Sequence, residues 1–218
     1  MVDKKVLIMK KIAMIGDIVS SKKIADREKT QKKLQSILDS LNSKKDKHLI
    51  SPYTITLGDE FQALFNQADD LFLDAFLILQ AIYPEKIRFS FGIGTIETII
   101  NRKYAIGMDG PAFHNARKGI EELTKTSYLF NVAGLENYQS NLCIMTLRLV
   151  SHNLRKWGRN RLEVFTLLYE SKSVKEIAEI VQLSDKAIYK TIDVGDLKTI
   201  LELFKEITKI MNESLVSE

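Results

Sequence analysis

The sequence predicts an α+β sandwich, with helices on one face of a mainly antiparallel sheet, followed by a wholly helical part. Up to about residue 136, alternating apolar runs and segments of helical period follow the order strand, helix, hairpin, helix, strand, helix, strand. From residue 137 onward, apolar residues recur only at helical spacing. We therefore expect a sheet domain over 1–136 and a helical region over 137–218.

The first half of the sheet domain follows from two patterns. Residues 6–17 are mainly hydrophobic or small, without a helix- or strand-breaking cluster, and end in Gly-Asp. This pattern predicts a buried strand that carries Asp17 at its end. Asp26 is expected to open a helix, because apolar residues then follow the 3.6-residue period. Runs 53–57 and 61–65, separated by a turn with Gly and Asp, predict a hairpin.

The second half of the sheet domain has equally clear boundaries. The apolar helix 68–83 should end before Pro84, because proline disfavours the helical conformation of its predecessor. A strand follows over 86–93. Pro111 is expected in the first turn of the next helix, where proline is tolerated, and 128–132 forms the last strand.

Composition limits the functions that fit this chain of 218 residues. A formal charge of +4 is too mild for a generally basic nucleic-acid binder, so any such contact must depend on a local patch. One cysteine excludes an internal disulfide, and three scattered histidines form no metal-ligand motif. Without a signal-peptide pattern or a long apolar stretch, we expect a cytoplasmic protein with no membrane partner.

Two aspartates are the leading candidates for a site. Asp17 ends the first strand, and Asp59 lies in a hairpin turn that a ferredoxin-like topology places beside that strand. Paired carboxylates repel each other unless a hard cation neutralises them, so we expect Mg²⁺ or Mn²⁺ here, with Glu60 as a possible third ligand. The alternative is that each aspartate is only a turn former.

Four segments carry a resemblance to nucleotide cyclases. Residues 15–20 resemble the first metal-binding strand of class III nucleotidyl cyclases, and 57–62 resemble both their second metal strand and the GGDEF hairpin of diguanylate cyclases. Segments 88–94 and 109–117 are similar to the strand and helix that follow in the cyclases. The resemblance implies a palm-type, ferredoxin-like fold that binds a nucleotide through divalent metal ions.

The same resemblance has departures that bear on activity. Active cyclases carry an Asn, and an Arg four residues later, where this chain has His114 and Lys118, and Leu57 replaces the first glycine of the GGDEF hairpin. Binding of a nucleotide or another phosphate-containing small molecule is therefore favoured over cyclisation. The candidate phosphate-binding residues are Arg27, Gly94, His114, Arg117 and Lys118. The alternatives are solvated charged side chains and, for Gly94, turn chemistry.

The helical region contains a predicted helix-turn-helix with its core over 162–192. Ser173 and Ser184 are expected to cap two short helices on either side of a turn. As a DNA reader, this unit would present Lys186, Tyr189 and Lys190 to the bases, and Arg159 would hold the phosphate backbone. The alternative is a helical module for protein interaction.

The complete set of motifs is similar to the SatD family of bacterial proteins and covers nearly the whole chain. Three functions fit it: a regulator that couples a metal- and nucleotide-binding palm to a DNA-binding unit, a nucleotidyl cyclase or nucleotidyltransferase, and a protein-interaction scaffold. A last helix after Asp196 has a near-heptad apolar seam, which either covers the helix-turn-helix or joins two chains as a homodimer. The seam consists of Leu197, Ile200, Phe204, Ile207 and Met211.

Overall fold

A computed structural model describes residues 9–44 and 47–216 of the chain and confirms the mixed α+β class. In chain order the elements are β1 (Lys11–Ile18), α1 (Arg27–Ser43), β2 (Leu49–Ile55), β3 (Glu60–Phe65), α2 (Leu71–Ile82), β4 (Ile87–Gly94), α3 (Pro111–Thr124), β5 (Phe130–Ala133), α4 (Asn137–Leu154), α5 (Arg159–Tyr169), α6 (Val174–Val181), α7 (Asp185–Val194) and α8 (Leu197–Ser214). The first predicted strand is shorter than expected, and its residues 6–8 lie outside the described residues.

The five strands form one sheet in the order β2-β3-β1-β4-β5. β1 lies at the centre and pairs antiparallel with β3 and β4, whereas β4 and β5 run parallel. The register sets Asp17 directly opposite Glu60 on one neighbour and Arg88 on the other. Directly opposed residues project from the same face of a sheet, so these three side chains share one face.

Helices cover both faces of the sheet, so the prediction of helices on one face is wrong. Along β1, Ile12 and Met14 belong to the core beneath α1 and α2, while Ala13 and Ile15 pack with Ala116 of α3 on the opposite face. α3 packs closely against β4 because Gly92 of β4 has no side chain. A Cβ on Gly92 would lie 2.1 Å from the carbonyl oxygen of Ala112.

The C-terminal helices share the larger core with the sheet. The ring centroids of Phe72 and Phe204 are 4.8 Å apart, and those of Phe76 and Phe165 are 4.6 Å apart, which joins α2 to α8 and α5. α4 begins at Asn137, but because one core spans both parts, the division of the chain at residue 136 stays a prediction.

The apolar seam of α8 is buried within this chain. Its five residues pack against the helices of the same molecule, so the seam covers the helical core and leaves no free face for a second copy. Pairing of two chains through this seam is therefore wrong, and a homodimer would need another surface. Across the described ranges, no helix combines the length and apolar character needed to cross a membrane.

Candidate functional site

A cluster of charged side chains lies at the end of the sheet where β1 finishes and β3 begins. Asp17 projects from the face covered by α3, since it has the parity of Ala13 and Ile15 along the strand. Its Oδ2 accepts a hydrogen bond from Nη1 of Arg88 at 3.0 Å. Both side chains are largely shielded from solvent, so this is a charge-assisted bond in a partly dry setting.

Glu60 is the most deeply buried carboxylate of the cluster, with 7% of its surface exposed. Arg117 of α3 donates to it with both terminal nitrogens, and the Nη2–Oε1 distance is 2.9 Å. Thr56 Oγ1 also donates to Oε1, at 2.9 Å. Both oxygens of Glu60 are thus engaged within the chain, so its predicted role as a third metal ligand would require the release of Arg117.

Asp59 lies in the turn between β2 and β3. Its Oδ2 accepts a hydrogen bond from Ser21 Oγ, and its backbone oxygen accepts one from the amide of Ile18 at 3.0 Å. These two contacts tie the turn to the end of β1, which brings Asp59 close to Asp17. Gly58 precedes it with a φ of 75°, a left-handed conformation that favours glycine.

The start of α1 lies beside the same turn. Gln31 Nε2 donates to the backbone oxygen of Gly58 at 2.9 Å. A Cβ placed on Gly58 would lie 4.0 Å from Nη2 of Arg27, so the guanidinium of Arg27 borders the turn that carries Asp59. Asp26 caps this helix by accepting from the amide of Lys29 at 3.0 Å. The predicted phosphate-binding Arg27 is therefore next to the aspartate cluster.

The pKa of Asp17 is raised, chiefly because burial disfavours its charged form, and further because Asp59 and Glu60 lie nearby. The hydrogen bond and charge of Arg88 act in the opposite direction without cancelling this rise. Three carboxylates therefore share this end of the sheet, where Arg88 and Arg117 bond two of them and Arg27 borders the turn that carries the third. A bound cation would favour the ionised form of Asp17 and relieve this repulsion.

Asp17 and Asp59 are the residues of this cluster that could hold a divalent cation. Among the described residues, Oδ1 of each makes no hydrogen bond, so each offers one carboxylate oxygen. The described part of the chain has no group of three or more His, Cys, Asp or Glu side chains arranged for a metal. Two carboxylates are nevertheless the usual protein contribution to Mg²⁺ when ligand phosphates complete the coordination.

The other predicted phosphate-binding residues lie along β4 and α3. Gly94 is accounted for by helix packing, because a Cβ on it would lie 2.6 Å from the amide nitrogen of Ala112. His114 pairs with Asp109 at 2.7 Å near the start of α3, and the Gly110 amide and His114 lower the pKa of Asp109. Lys118 is exposed. The structure brings Arg117 alone of these residues into contact with the carboxylate cluster.

Two residues of the cluster, Arg88 and Ser21, were missed by the sequence analysis. Arg88 faces Asp17 only because β4 pairs with β1 across 71 positions of sequence, which no local pattern reveals. Ser21 directly follows the motif 15–20 and lies four positions after Asp17, in the turn after β1. That position next to Asp17 was the available signal for its role.

A second candidate surface is formed by α6, α7 and the three-residue turn between them. Ser173 and Glu176 form a capping box at α6, and Ser184 Oγ accepts from the amide of Ala187 at α7. Gln182 takes the left-handed conformation at the end of α6, with a φ of 57°, where glycine is more usual. The capping predicted at Ser173 and Ser184 is confirmed.

The outward face of α7 lies beside a basic concavity. Lys186, Tyr189 and Lys190 are exposed, while Ile188 and Ile192 hold the helix to the core. The concavity is lined by the end of the α4–α5 connection, the first turn of α5 and one residue of α7: Lys156, Gly158, Arg159, Asn160, Arg161 and Thr191. Basic side chains at the start of α5 therefore adjoin α7, although residues 151–218 contain equal numbers of acidic and basic residues.

These features define an α+β protein with a carboxylate–arginine cluster at one end of its sheet and a capped pair of short helices beside a basic surface. The family model of the SatD family matches residues 11–211, a range that includes both sites. The chain belongs to the SatD family. No curated protein matches the sequence.

Proposed function

We propose that this protein is a regulator that binds DNA through α6 and α7 and binds a phosphate-containing small molecule, with a divalent cation, at the carboxylate cluster. The observation that carries the proposal is the exposed face of α7 beside the basic concavity at the start of α5. Each half of the proposal is supported by separate contacts, and the shared core offers a physical connection between them.

For DNA, α6 and α7 serve as a helix-turn-helix in which α7 is the recognition helix. The N-terminal residues of a recognition helix contact base edges in the major groove. Lys186 stands in the first turn of α7, and Tyr189 and Lys190 follow on its exposed face. A lysine can donate to guanine and a tyrosine offers both a hydroxyl and an apolar ring, so this face has the chemistry of a base reader.

The phosphate backbone would be held by the cations at the end of the α4–α5 connection and in the first turn of α5. Lys156 and Arg159 are exposed there, and Arg161 has a buried Nε with no hydrogen-bond partner among the described residues. Between residues 155 and 161 the chain has no acidic residue. A neutral helical region can therefore still bind DNA, because its positive charge is concentrated where α7 would enter the groove.

At the sheet, Asp17 and Asp59 would hold Mg²⁺ or Mn²⁺, and Arg27 would contact the phosphate of the ligand. The cation would neutralise the charge of a phosphate that lies close to the carboxylates of the cluster. The order β-α-β-β-α-β over the first four strands, arranged β2-β3-β1-β4, supports a ferredoxin-like palm of the kind that binds nucleotides in cyclases. A nucleotide is the ligand class that we favour.

A nucleotidyl cyclase or nucleotidyltransferase is the second candidate, and the proximity of Asp17 and Asp59 favours it. Two metal ions on such a pair can clamp the attacking and leaving oxygens of a phosphoryl transfer. Against this function, His114 and Lys118 occupy the positions of the cyclase Asn and Arg, and His114 is paired with Asp109. Product formation from any nucleoside triphosphate, lost in Asp17→Asn, would favour the enzyme over the regulator.

DNA binding is tested by selecting genomic fragments on the full-length protein and measuring their affinity by fluorescence anisotropy. The variant Lys186→Glu/Lys190→Glu should weaken binding at least tenfold, because it reverses two charges on the recognition face. Lys205→Glu/Lys209→Glu makes the same change in net charge on the exposed side of α8 and should bind nearly as wild type does. Failure to enrich any fragment, or equal losses in both variants, would contradict the proposal.

A further inference from the structure

Helix α4 has two apolar faces, and within the described residues only one of them is covered. Cys143, Leu147, Val150 and Leu154 point into the core. On the other side, four large apolar side chains are exposed over 60–75% of their surface: Tyr138, Leu142, Met145 and Leu149. An apolar stripe that continues along three turns of a helix is typical of an interaction surface rather than of scattered surface residues.

The composition of α4 favours a protein partner for this stripe. At the average charge content of the chain, 28%, an 18-residue helix would carry about five charged residues, whereas α4 has only Arg148 apart from His152. The centres of protein interfaces are depleted in Lys, Glu and Asp and enriched in aromatic residues, Met and Arg. Tyr138, Met145 and Arg148 are of the enriched types, and all three are exposed.

The stripe is complementary to itself in an antiparallel arrangement. Its four positions are spaced by four, three and four residues, which is the spacing of a heptad seam. The spacing is symmetric about the midpoint between Cys143 and Ile144. A twofold axis through that midpoint would therefore set Tyr138 opposite Leu149 of a second copy, and Leu142 opposite Met145 of that copy.

The charges at the two ends of the helix select the same orientation. Glu136 precedes α4 and is exposed, while Arg148 and His152 lie in its last two turns. Antiparallel pairing would bring the acidic end of one helix to the basic end of the other, and would also oppose the two helix dipoles. Parallel pairing would set Arg148 against its own copy.

We propose that the exposed face of α4 joins two copies of this chain in an antiparallel, twofold dimer. The stripe is about 16 Å long at 1.5 Å per residue. One helix pair covers less than the roughly 800 Å² per partner of a standard interface, so the dimer should be weak, with a dissociation constant in the micromolar range. The dimer does not depend on the proposed binding of DNA or nucleotide.

Sedimentation velocity of the full-length protein tests the surface, over a range from about 1 µM to about 100 µM. Wild type should shift from monomer to dimer, and Leu142→Glu/Met145→Glu should remain monomeric with an unchanged melting temperature. The control Ile99→Glu/Ile106→Glu adds the same charge at exposed apolar positions of the β4–α3 loop and should dimerise as wild type does. A monomeric wild type, or dissociation of the control alone, would overturn the proposal.

Disulfide formation tests the orientation. Tyr138→Cys mixed with Leu149→Cys should give a covalent dimer on oxidation, while neither variant should do so alone. The native Cys143 is buried and should form no cross-link, and oxidation of the wild-type protein is the control for this. Cross-linking of either variant by itself, or none in the mixture, would overturn the antiparallel arrangement.

Discussion

Replacement of Arg117 by methionine isolates the contribution of the Glu60–Arg117 pair to stability. Methionine retains most of the apolar stem of Arg117 but removes both hydrogen bonds to Glu60, a carboxylate with 7% of its surface exposed. Thr56 remains as a donor to Oε1. The substitution therefore leaves the buried charge of Glu60 with one hydrogen-bond partner instead of two, and the lost interaction with Arg117 lowers the free energy of unfolding.

Removal of one partner from a fully buried ion pair costs about 3–5 kcal/mol. The Arg117 side chain is 44% exposed, so water can reach part of the site and the pair is partly screened. We therefore expect Arg117→Met to lower the free energy of unfolding by about 2 kcal/mol. Urea denaturation at pH 7, followed by circular dichroism, measures this value with sufficient precision.

A double-mutant cycle separates the pair from unrelated effects of each substitution. With Glu60→Gln, which removes the buried charge, the further change Arg117→Met should cost at least about 1 kcal/mol less than in wild type. Arg102→Met, at an exposed loop position, should stay within about 0.5 kcal/mol of wild type. Additive effects in the cycle, or an Arg117→Met variant as stable as wild type, would refute the reasoning.

Three further predictions concern the site and its supports. Because the pKa of Asp17 is raised above 3.8, its ionised form is disfavoured in the folded state, so wild type should lose stability relative to Asp17→Asn as the pH rises through the raised pKa. Urea denaturation of both proteins between about pH 3.5 and pH 7 measures this difference, and a difference that is constant or grows in favour of wild type would contradict it. Ser184→Ala removes the cap of α7 and should lower the free energy of unfolding by about 1 kcal/mol in the same assay. Ser184→Asp keeps a capping oxygen and should retain most of the stability of wild type. Gly92→Ala should cost about 2 kcal/mol or more, because the new methyl group meets the backbone of α3 at Ala112, and an unchanged denaturation midpoint would show that α3 can shift at little cost.

The order and type of the elements were predictable because each depends on local pattern. Apolar alternation located the strands around Asp17 and 61–65, and helix period located α1 and α2. The proximity of Asp17 and Asp59 was expected from the ferredoxin-like topology, because that topology pairs β3 with β1.

The placement of α3 on the opposite face of the sheet, and the arginine partners of the carboxylates, were not predictable in this way. Amphipathic period shows which residues of a helix point inward, but not which face of a sheet receives them, so α3 was assigned to the wrong side. The pairs Asp17–Arg88 and Glu60–Arg117 join positions 71 and 57 residues apart and depend on sheet order and helix placement. Gly94 illustrates the same limit, because only the contact with Ala112 explains its lack of a side chain.

The apolar seam of α8 was ambiguous for a related reason. A heptad-like stripe packs equally well on a second chain or on a core of its own molecule, and the sequence does not say which is present. The phenylalanines of α2 provide that core, and Phe204 packs on Phe72 and Phe76. The stripe of α4, in contrast, finds no cover among the described residues of its own chain, which is why it carries the proposed dimer.

The regulator proposed here is tested most directly by the DNA affinity of wild type and Asp17→Asn in the presence of Mg²⁺ and a panel of nucleoside mono-, di- and triphosphates. A genomic fragment enriched on the wild-type protein serves as the probe, and fluorescence anisotropy measures its affinity. We predict that at least one nucleotide changes the affinity of wild type several-fold only when Mg²⁺ is present, and that Asp17→Asn does not respond. Equal affinities with every nucleotide, or the same response in both proteins, would contradict a regulator that couples the carboxylate cluster to DNA binding.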